Sequence, residues 1–310
     1  MTLPERILVT GGAGFVGANL VRRVAGRCAV RVLDSGVAGS TNVLPGDVEL
    51  VTADIRDGEA VRRALTGVDA VVHLAAAGNV VDSVRDPQAN FDVNVRGSLS
   101  VLDAARDAGV ERIVVASTGG ALMGNAPGPV DEGTVPRPLA PYGASKAAME
   151  AYCHAYAGSY GLRSVILRFA NLYGPLSAHK KGVVTTYFRA LHQGEPLVVF
   201  GDGAASRDFL HVDDICSAIE LALEADVPGG TTAHIASGVE TTIDELAALC
   251  SEIAGRPGHP VEHRPARTGE VERNVGSYRL AHDLLGFEPA VPLREGLADT
   301  WRWYQQSLFR

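Results

Sequence analysis

Short apolar runs rich in β-branched residues alternate with longer segments of helical period through the first half of the chain. Arg6–Thr10, Val30–Leu33, Val48–Thr52, Ala70–Leu74, Arg112–Ala116 and Ser164–Arg168 read as strands, and Val16–Ala25, Gly58–Leu65, Asn90–Ala108 and Tyr142–Tyr160 as helices. Apolar runs without polar alternation suit strands covered on both faces, and strand–helix–strand crossovers are right-handed. The pattern therefore predicts a doubly wound parallel α/β sheet of Rossmann type. After about Pro175 the rhythm loosens, with Gly182, Gly194–Pro196, Gly201–Gly203, Pro228–Gly230 and Gly255–Pro260 separating short helices. Residues 1–175 are expected to form the main domain, with 203–226 returning to it, and 176–310 mainly a smaller α/β lobe over the sheet's carboxyl edge.

Composition removes several function classes. No run approaches the ~20 apolar residues of a membrane helix, and the first residues lack the basic, apolar and small-residue order of a signal peptide. Cys28, Cys153, Cys216 and Cys250 stand far apart without a CxxC pair, which suits buried thiols in a reducing cytoplasm. A formal net charge of −8 with no basic block argues against a nucleic-acid surface. No metal is expected.

Thr10-Gly11-Gly12-Ala13-Gly14-Phe15-Val16-Gly17 follows the first strand and opens a helix. Glycines at 11, 12, 14 and 17 permit a tight turn and close approach to a diphosphate, which the N–H groups of the helix N-terminus then hold. Asp34 ends the second strand about 20 residues on, where a carboxylate accepts from an adenosine ribose and repels a 2′-phosphate, so NAD is favoured over NADP. Its plain alternative is a turn residue before Ser35-Gly36. Asp54-Ile55 and Leu74-Ala75-Ala76 follow the third and fourth strands, where such a sheet opens its ligand crevice.

Tyr142 and Lys146 stand four residues apart on one helix face. An ammonium near a phenol favours phenolate and makes the tyrosine a usable acid or base. A solvated Tyr–Lys pair at a helix start is the bland alternative. The pair gains weight from the glycine turn upstream and from Ser117-Thr118 after the fifth strand, where Thr118 is placed to bond the oxygen that Tyr142 deprotonates.

With these residues in view the chain resembles the extended short-chain dehydrogenase/reductases, specifically the NAD-dependent nucleotide-sugar epimerase/dehydratase group. The resemblance spans nearly the whole chain and rests on Thr10–Gly17, His73–Ala76, Asn94–Gly97, Ser117–Gly120, Tyr142–Lys146, Asn171–Pro175, Gly201–Gly203, Arg207–Asp214 and Arg267–Glu270. It implies Thr118, Tyr142 and Lys146 as catalytic residues. It also implies an NAD site that includes Gly11, Gly14, Phe15, Val16, Gly17, Asp34, Asp54, Ile55, Leu74, Ala75, Ala76, Asn94, Ser117, Tyr142 and Lys146. The second lobe is then a nucleotide-sugar lobe, with Asn171, Arg207 and Arg267 on a diphosphate, Val198 and Phe200 around the base, and Glu270 on the ribose. Asp213 and Asp214 are expected to cap a helix.

Departures from the group's pattern narrow the activity. Dehydratases of the group carry an acidic pair directly after the catalytic Ser/Thr, whereas Gly119-Gly120 follow Thr118 here. The expectation is C4 epimerisation of a UDP-hexose by a homodimer, with an NDP-4-keto-sugar reductase and a non-catalytic NAD-sensing protein as alternatives. Met123 replaces a common Tyr and Thr268 a common Pro, so the hexose stays open.

Overall fold

The computed structural model describes residues 3–37, 39–266 and 271–307. Six parallel strands fall within two residues of the sequence expectation: β1 (Arg6–Thr10), β2 (Ala29–Asp34), β3 (Glu49–Thr52), β4 (Ala70–His73), β5 (Arg112–Thr118) and β6 (Ser164–Phe169). Between them run the helices α1 (Phe15–Val24), α2 (Gly58–Ala64), α3 (Val80–Arg85), α4 (Pro87–Phe91), α5 (Ser98–Asp107), α6 (Gly120–Met123) and α7 (Pro141–Tyr160).

The helix expected over Asn90–Ala108 is not continuous. A π-helical turn, Asp92–Gly97, separates α4 from α5. There the buried Asn94 side chain turns inward, accepting from Ala77 N at 2.7 Å and donating to Ser145 Oγ at 3.0 Å, while Ser98 Oγ donates back to Asn94 O at 2.6 Å. Widened turns of this kind recur at functional sites.

The remaining elements are β7 (Asn171–Tyr173), α8 (Val183–Gln193), β8 (Leu197–Phe200), β9 (Ser206–His211), α9 (Val212–Glu224), β10 (Thr231–Ile235), β11 (Glu240–Thr242), α10 (Ile243–Ile253), β12 (Val261–Arg264), β13 (Arg273–Asn274), α11 (Arg279–Leu285) and α12 (Leu293–Ser307). β10 joins the large sheet beside β6, giving the order β10-β6-β5-β4-β1-β2-β3. Sequence reasoning missed it because its run, Thr-Thr-Ala-His-Ile, has two threonines and a histidine where the other strands are apolar. One sheet face packs on α1, α9 and α11 through Leu20, Val21, Ile215, Ile219 and Phe287. The other packs on α2, α5 and α7 through Val61, Leu102, Met149 and Cys153. The second lobe has its own core of Tyr187, Phe188, Leu197, Leu246 and Tyr304.

Asp213 and Asp214 do not cap α9. His211 is its N-cap, with Nδ1 accepting from Asp213 N at 3.3 Å. Both aspartates lie inside the first turn, and the buried Asp214 instead accepts from Ala290 N and Val291 N at 2.9 and 3.2 Å, tying α9 to the segment before α12. Among the described residues no helix is long and apolar enough to cross a membrane, and no group of three or more His, Cys, Asp or Glu is gathered to hold a metal ion.

Candidate active site

The carboxyl ends of β1, β2, β4 and β5 open on one cleft edge. β1 leads into the turn at Gly11, whose N–H donates to Leu33 O at 2.8 Å, and Gly14 then begins α1. Two glycines are required there. Gly11 adopts φ +71° with its missing Cβ facing Ala75 N at 2.7 Å, and a Cβ on Gly17 would stand 2.3 Å from Gly11 O. Strand, turn and helix therefore pack main chain on main chain, leaving the first N–H groups of α1 at the cleft. Phe15 is buried in the core and Val16 half-buried.

Asp34 brings the end of β2 to the same turn. Its Oδ2 accepts from Ala13 N at 2.9 Å and its Oδ1 from Gly36 N at 2.8 Å. His179, from the loop before α8, is close enough for the Asp34 charge to act on its imidazole, although burial and Lys180 hold that ring below its ordinary pKa. Asp54 is engaged by Arg56, whose Nε and Nη2 lie 2.9 and 2.7 Å from its two oxygens and hold its pKa below the usual carboxylate range. Ile55 is buried with its side chain against Gly97.

At the end of β4 a hydrogen-bonded chain fixes the wall made by Leu74, Ala75 and Ala76. Ala75 N donates to Thr10 Oγ1 (3.3 Å), which lies 2.7 Å from His73 Nδ1, and His73 Nε2 lies 2.9 Å from Ser98 Oγ. Since Ser98 donates onward to Asn94 O, the direction of donation assigns the proton to Nε2. The ring is neutral: burial, with Lys146 nearby, pushes its pKa down to about 3.

Thr118 ends β5, and the Gly119–Ala121 turn after it is pressed against the start of α7. A Cβ on Gly143 would lie 2.0 Å from Ala121 O, so Tyr142 starts its helix directly beside the turn that follows Thr118. Tyr142 N donates to Ser83 Oγ at 3.2 Å, linking α7 to α3. The Lys146 ammonium donates to Ala116 O at 2.7 Å, two residues before Thr118. Thr118, Tyr142 and Lys146 thus share one corner of the cleft. Burial pushes the Tyr142 phenol up to about 12 and the Lys146 ammonium down to about 8. Desolvation disfavours the charged form of each, so phenolate formation at working pH depends on positive charge brought close to the phenol.

Sequence reasoning missed what lies behind that corner. The Ser117 hydroxyl donates to Glu150, which Arg168 holds in a buried ion pair. His234 on β10 lies 3.5 Å from Arg168 and backs the Gly119 turn, with Nδ1 3.1 Å from the place of a Gly119 Cβ. The signals were present as Glu150 one helical turn after Lys146 and as an arginine inside an apolar strand.

Beside this corner β13 brings Asn274 against Gly120, and β13 and β7 both pair with β9. Asn171 on β7 pairs with Phe209, and Arg207 stands two residues earlier on β9. Asn171 Nδ2 is buried without a hydrogen-bond partner among the described residues. The Arg207 guanidinium donates to Ser206 O at 2.8 Å and is half-buried. Val198 and Phe200 share the half-buried side of β8, opposite the core residues Leu197 and Val199. Arg267 and Glu270 lie outside the described residues, directly beyond the loop that leaves β12, where Arg264 pairs with Phe200.

Residues 7–236 match the model of the NAD dependent epimerase/dehydratase family. A UDP-glucose 4-epimerase of Mycolicibacterium smegmatis is 36% identical over 317 residues, covering 97% of this chain and 99% of that protein. A dTDP-glucose 4,6-dehydratase of Streptomyces niveus is 34% identical over 317 residues, covering 97% and 93%. Among solved structures, the UDP-glucose 4-epimerase of Thermus thermophilus in complex with NAD superimposes with a TM-score of 0.92 at 36% identity, over 98% of this chain and 100% of that one.

Proposed function

Because the chain belongs to the NAD-dependent epimerase/dehydratase family, we propose that it inverts C4 of a nucleotide-linked hexose, a UDP-sugar of the glucose/galactose or glucuronate/galacturonate type. The Gly11–Gly17 turn has the main-chain cradle a dinucleotide needs, with glycines where strand, turn and helix meet and the N-terminus of α1 directly after it. NAD held there by the turn, Asp34 and the Leu74–Ala76 wall would supply a hydride acceptor and donor at C4, so that the hexose passes through a 4-keto form.

The chain's own residues then handle proton and charge. Tyr142 takes the proton of the 4-hydroxyl and returns it, while Thr118 holds the same oxygen and Lys146 supplies the positive field that brings the phenol toward ionisation. Asn171 and Arg207 anchor the substrate diphosphate, Arg207 by charge-assisted bonds. An anchor remote from the reacting carbon retains the nucleotide while the hexose turns its other face.

The observation that carries epimerisation over dehydration is the Gly119–Gly120 turn. Elimination of water needs a further acid and base beside the keto-sugar, and this turn has no side chains. A side chain at position 120 would place its Cβ 1.7 Å from Asn274 Nδ2, so the structure fills that space from β13 instead. The test is incubation with UDP- and dTDP-hexoses without added NADH, followed by product separation. A C4 epimer with no net change in cofactor absorbance is expected. A deoxy-keto product, or reduction stoichiometric with supplied NADH, overturns the reading.

We also infer a cytoplasmic homodimer. The four cysteines are free thiols, in keeping with a reducing compartment. α7 turns Met149, Cys153 and Tyr156 to the sheet, and of its small residues Ala147 and Ala148 are half-buried while Ala151 and Ala155 are exposed, where they allow close packing on a second copy. Monomeric mass in light scattering at micromolar concentration overturns it.

A further inference from the structure

Beneath the Thr118–Tyr142–Lys146 corner lies a charged layer that the proposed reaction does not use. α7 carries Tyr142, Lys146 and Glu150 at successive four-residue steps, so the three lie along one helix face. Both Glu150 oxygens are occupied. Oε1 accepts from the Ser117 hydroxyl at 2.5 Å and from Arg168 Nε at 3.0 Å, and Oε2 accepts from Arg168 Nη2 at 2.7 Å. The side chains of Arg168 and Glu150 are only 7% and 5% exposed. Arg168 stands opposite Ser117 in the β5–β6 register, one step from the Thr118–Phe169 pair. A buried ion pair recovers little more than its own desolvation cost, and apolar replacements are often as stable. Stability alone therefore gives this pair little reason to exist.

Its surroundings give it one. From α7, Lys146 meets Met149, whose sulfur lies 3.9 Å from Nζ, and Cys153, an uncharged thiol that burial pushes up to about 12, while Tyr142 stands one helical turn away on the same face. From β4 it meets His73, a neutral imidazole, and from β5 the carbonyl of Ala116. From β6, Arg168 approaches only behind Glu150, and beyond it His234 is held down to about 4. Among the described residues facing the ammonium, Glu150 is the one anion, and it opposes the burial that drives Lys146 toward neutrality.

We propose that Glu150, locked by Arg168 and Ser117, is a positioning residue whose carboxylate keeps Lys146 charged, so that Tyr142 has a cation to ionise against. The inference rests on the reading of Lys146 and Tyr142 given above. It assigns no contact between Glu150 and substrate or cofactor.

The sequence makes the test direct, because the chain has three lysines, Lys146, Lys180 and Lys181. Protein labelled at lysine 13Cε, with whatever cofactor it retains on isolation, gives three titrating resonances, and Lys146→Met identifies the one from Lys146. The wild-type resonance should titrate near pH 8. In Glu150→Gln it should move down by about one pH unit or more, a tenfold loss of proton affinity. Glu150→Asp, which retains the charge, should recover more than half of that shift. If Glu150→Gln fails to fold because Arg168 is orphaned, the double variant Glu150→Gln/Arg168→Met removes both charges and must still show the downward shift.

In turnover, Glu150→Gln should lower kcat at neutral pH and draw the alkaline limb of the profile downward, with KM changed by no more than a few fold. An unmoved Lys146 titration in the folded variants, accompanied only by a lower thermal midpoint, overturns the proposal and leaves the pair a brace between α7 and the sheet. If the resonance shifts as stated but the wild-type protein turns over no nucleotide sugar, the positioning role stands and the proposed activity fails.

Discussion

Replacing Gly17 by alanine isolates the geometry of the glycine turn from its chemistry. The new Cβ would lie 2.3 Å from Gly11 O and 2.6 Å from Gly12 Cα, against an ordinary contact of 3.4 Å or more. Both neighbours are main chain, so neither can swing aside, and α1 must retreat from the turn by roughly 1 Å. Overpacking of this kind costs about 1–3 kcal/mol, which lowers the thermal midpoint by roughly 2–10 °C. The same retreat carries the first N–H groups of α1 away from the anion they face. Losing one bond to a charged phosphate, about 1.5–3 kcal/mol, weakens NAD roughly tenfold to a hundredfold or somewhat more, and losing two weakens it by up to about ten-thousandfold.

Gly14→Ala is the internal control. Its Cβ would sit 3.1 Å from Gly11 O, a matter of a few tenths of an ångström, and Gly14 has φ −76° and ψ 179°, which alanine adopts readily. Folding stability should change by well under about 1 kcal/mol there, so any loss of NAD affinity in that variant comes from the new methyl at the diphosphate and not from displacement of α1. Calorimetric unfolding and titration of cofactor-stripped protein with NAD measure both quantities. A Gly17→Ala protein with native midpoint and native NAD affinity, or a Gly14→Ala protein equally destabilised, refutes the reasoning.

Other outcomes follow from the same site. Tyr142→Phe should abolish turnover while leaving nucleotide-sugar binding within a few fold, since only the proton-carrying oxygen is removed; retained turnover excludes Tyr142 as the acid–base group. Arg207→Ala, and to a lesser degree Asn171→Ala, should raise the substrate constant at a cost of about 1.5–3 kcal/mol for the charged partner while NAD affinity stays constant, checked by initial rates and cofactor titration. Lys146→Met should be inactive yet more stable at pH 7. A buried ammonium at about pKa 8 against 10.5 unfolded means that the unfolded chain binds more protons between those values. Its penalty, about 3 kcal/mol, is therefore full below pH 8 and fades as pH rises to 10.5. A stability gap between variant and wild type that did not narrow across that window counts against the buried charge.

Five of the strands legible in the sequence, β1, β2, β4, β5 and β6, are buried along most of their length and so are written largely in Val, Ile, Leu and Ala, while β3, exposed at the opposite edge of the sheet, was legible from its Val48–Val51 run alone. β10 escaped because it closes the sheet's edge, where Thr231 and Thr232 are half-exposed and His234 is turned to the reaction corner. The glycine turn and the Tyr142–Lys146 spacing could be read locally, since each function lies within one turn of chain. The Glu150–Arg168–Ser117 cluster could not, because it joins α7, β5 and β6, and only sheet register brings Ser117 opposite Arg168. The inward turn of Asn94 was likewise hidden, since a π-helical insertion leaves no mark on an apolar period. Asp213 and Asp214 looked like caps because carboxylates commonly are, but the imidazole of His211 already fills that place.

The position of β10 along the chain also bears on how the protein is made. Thr231 follows Phe169 by 62 residues, so at about 5–20 residues per second the ribosome needs roughly 3–12 s to deliver the strand that covers β6. Through that interval the nascent chain carries a hydrogen-bonding edge that any neighbouring strand can take, the situation that leads to aggregation on crowded polysomes. The delay ends when His234 arrives behind Gly119 and its N–H finds the Glu132 carboxylate at 2.6 Å. The last strand of the large sheet to leave the ribosome is the one that backs the turn beside Thr118, and a chain arrested before it would hold most of a sheet with that turn unsupported.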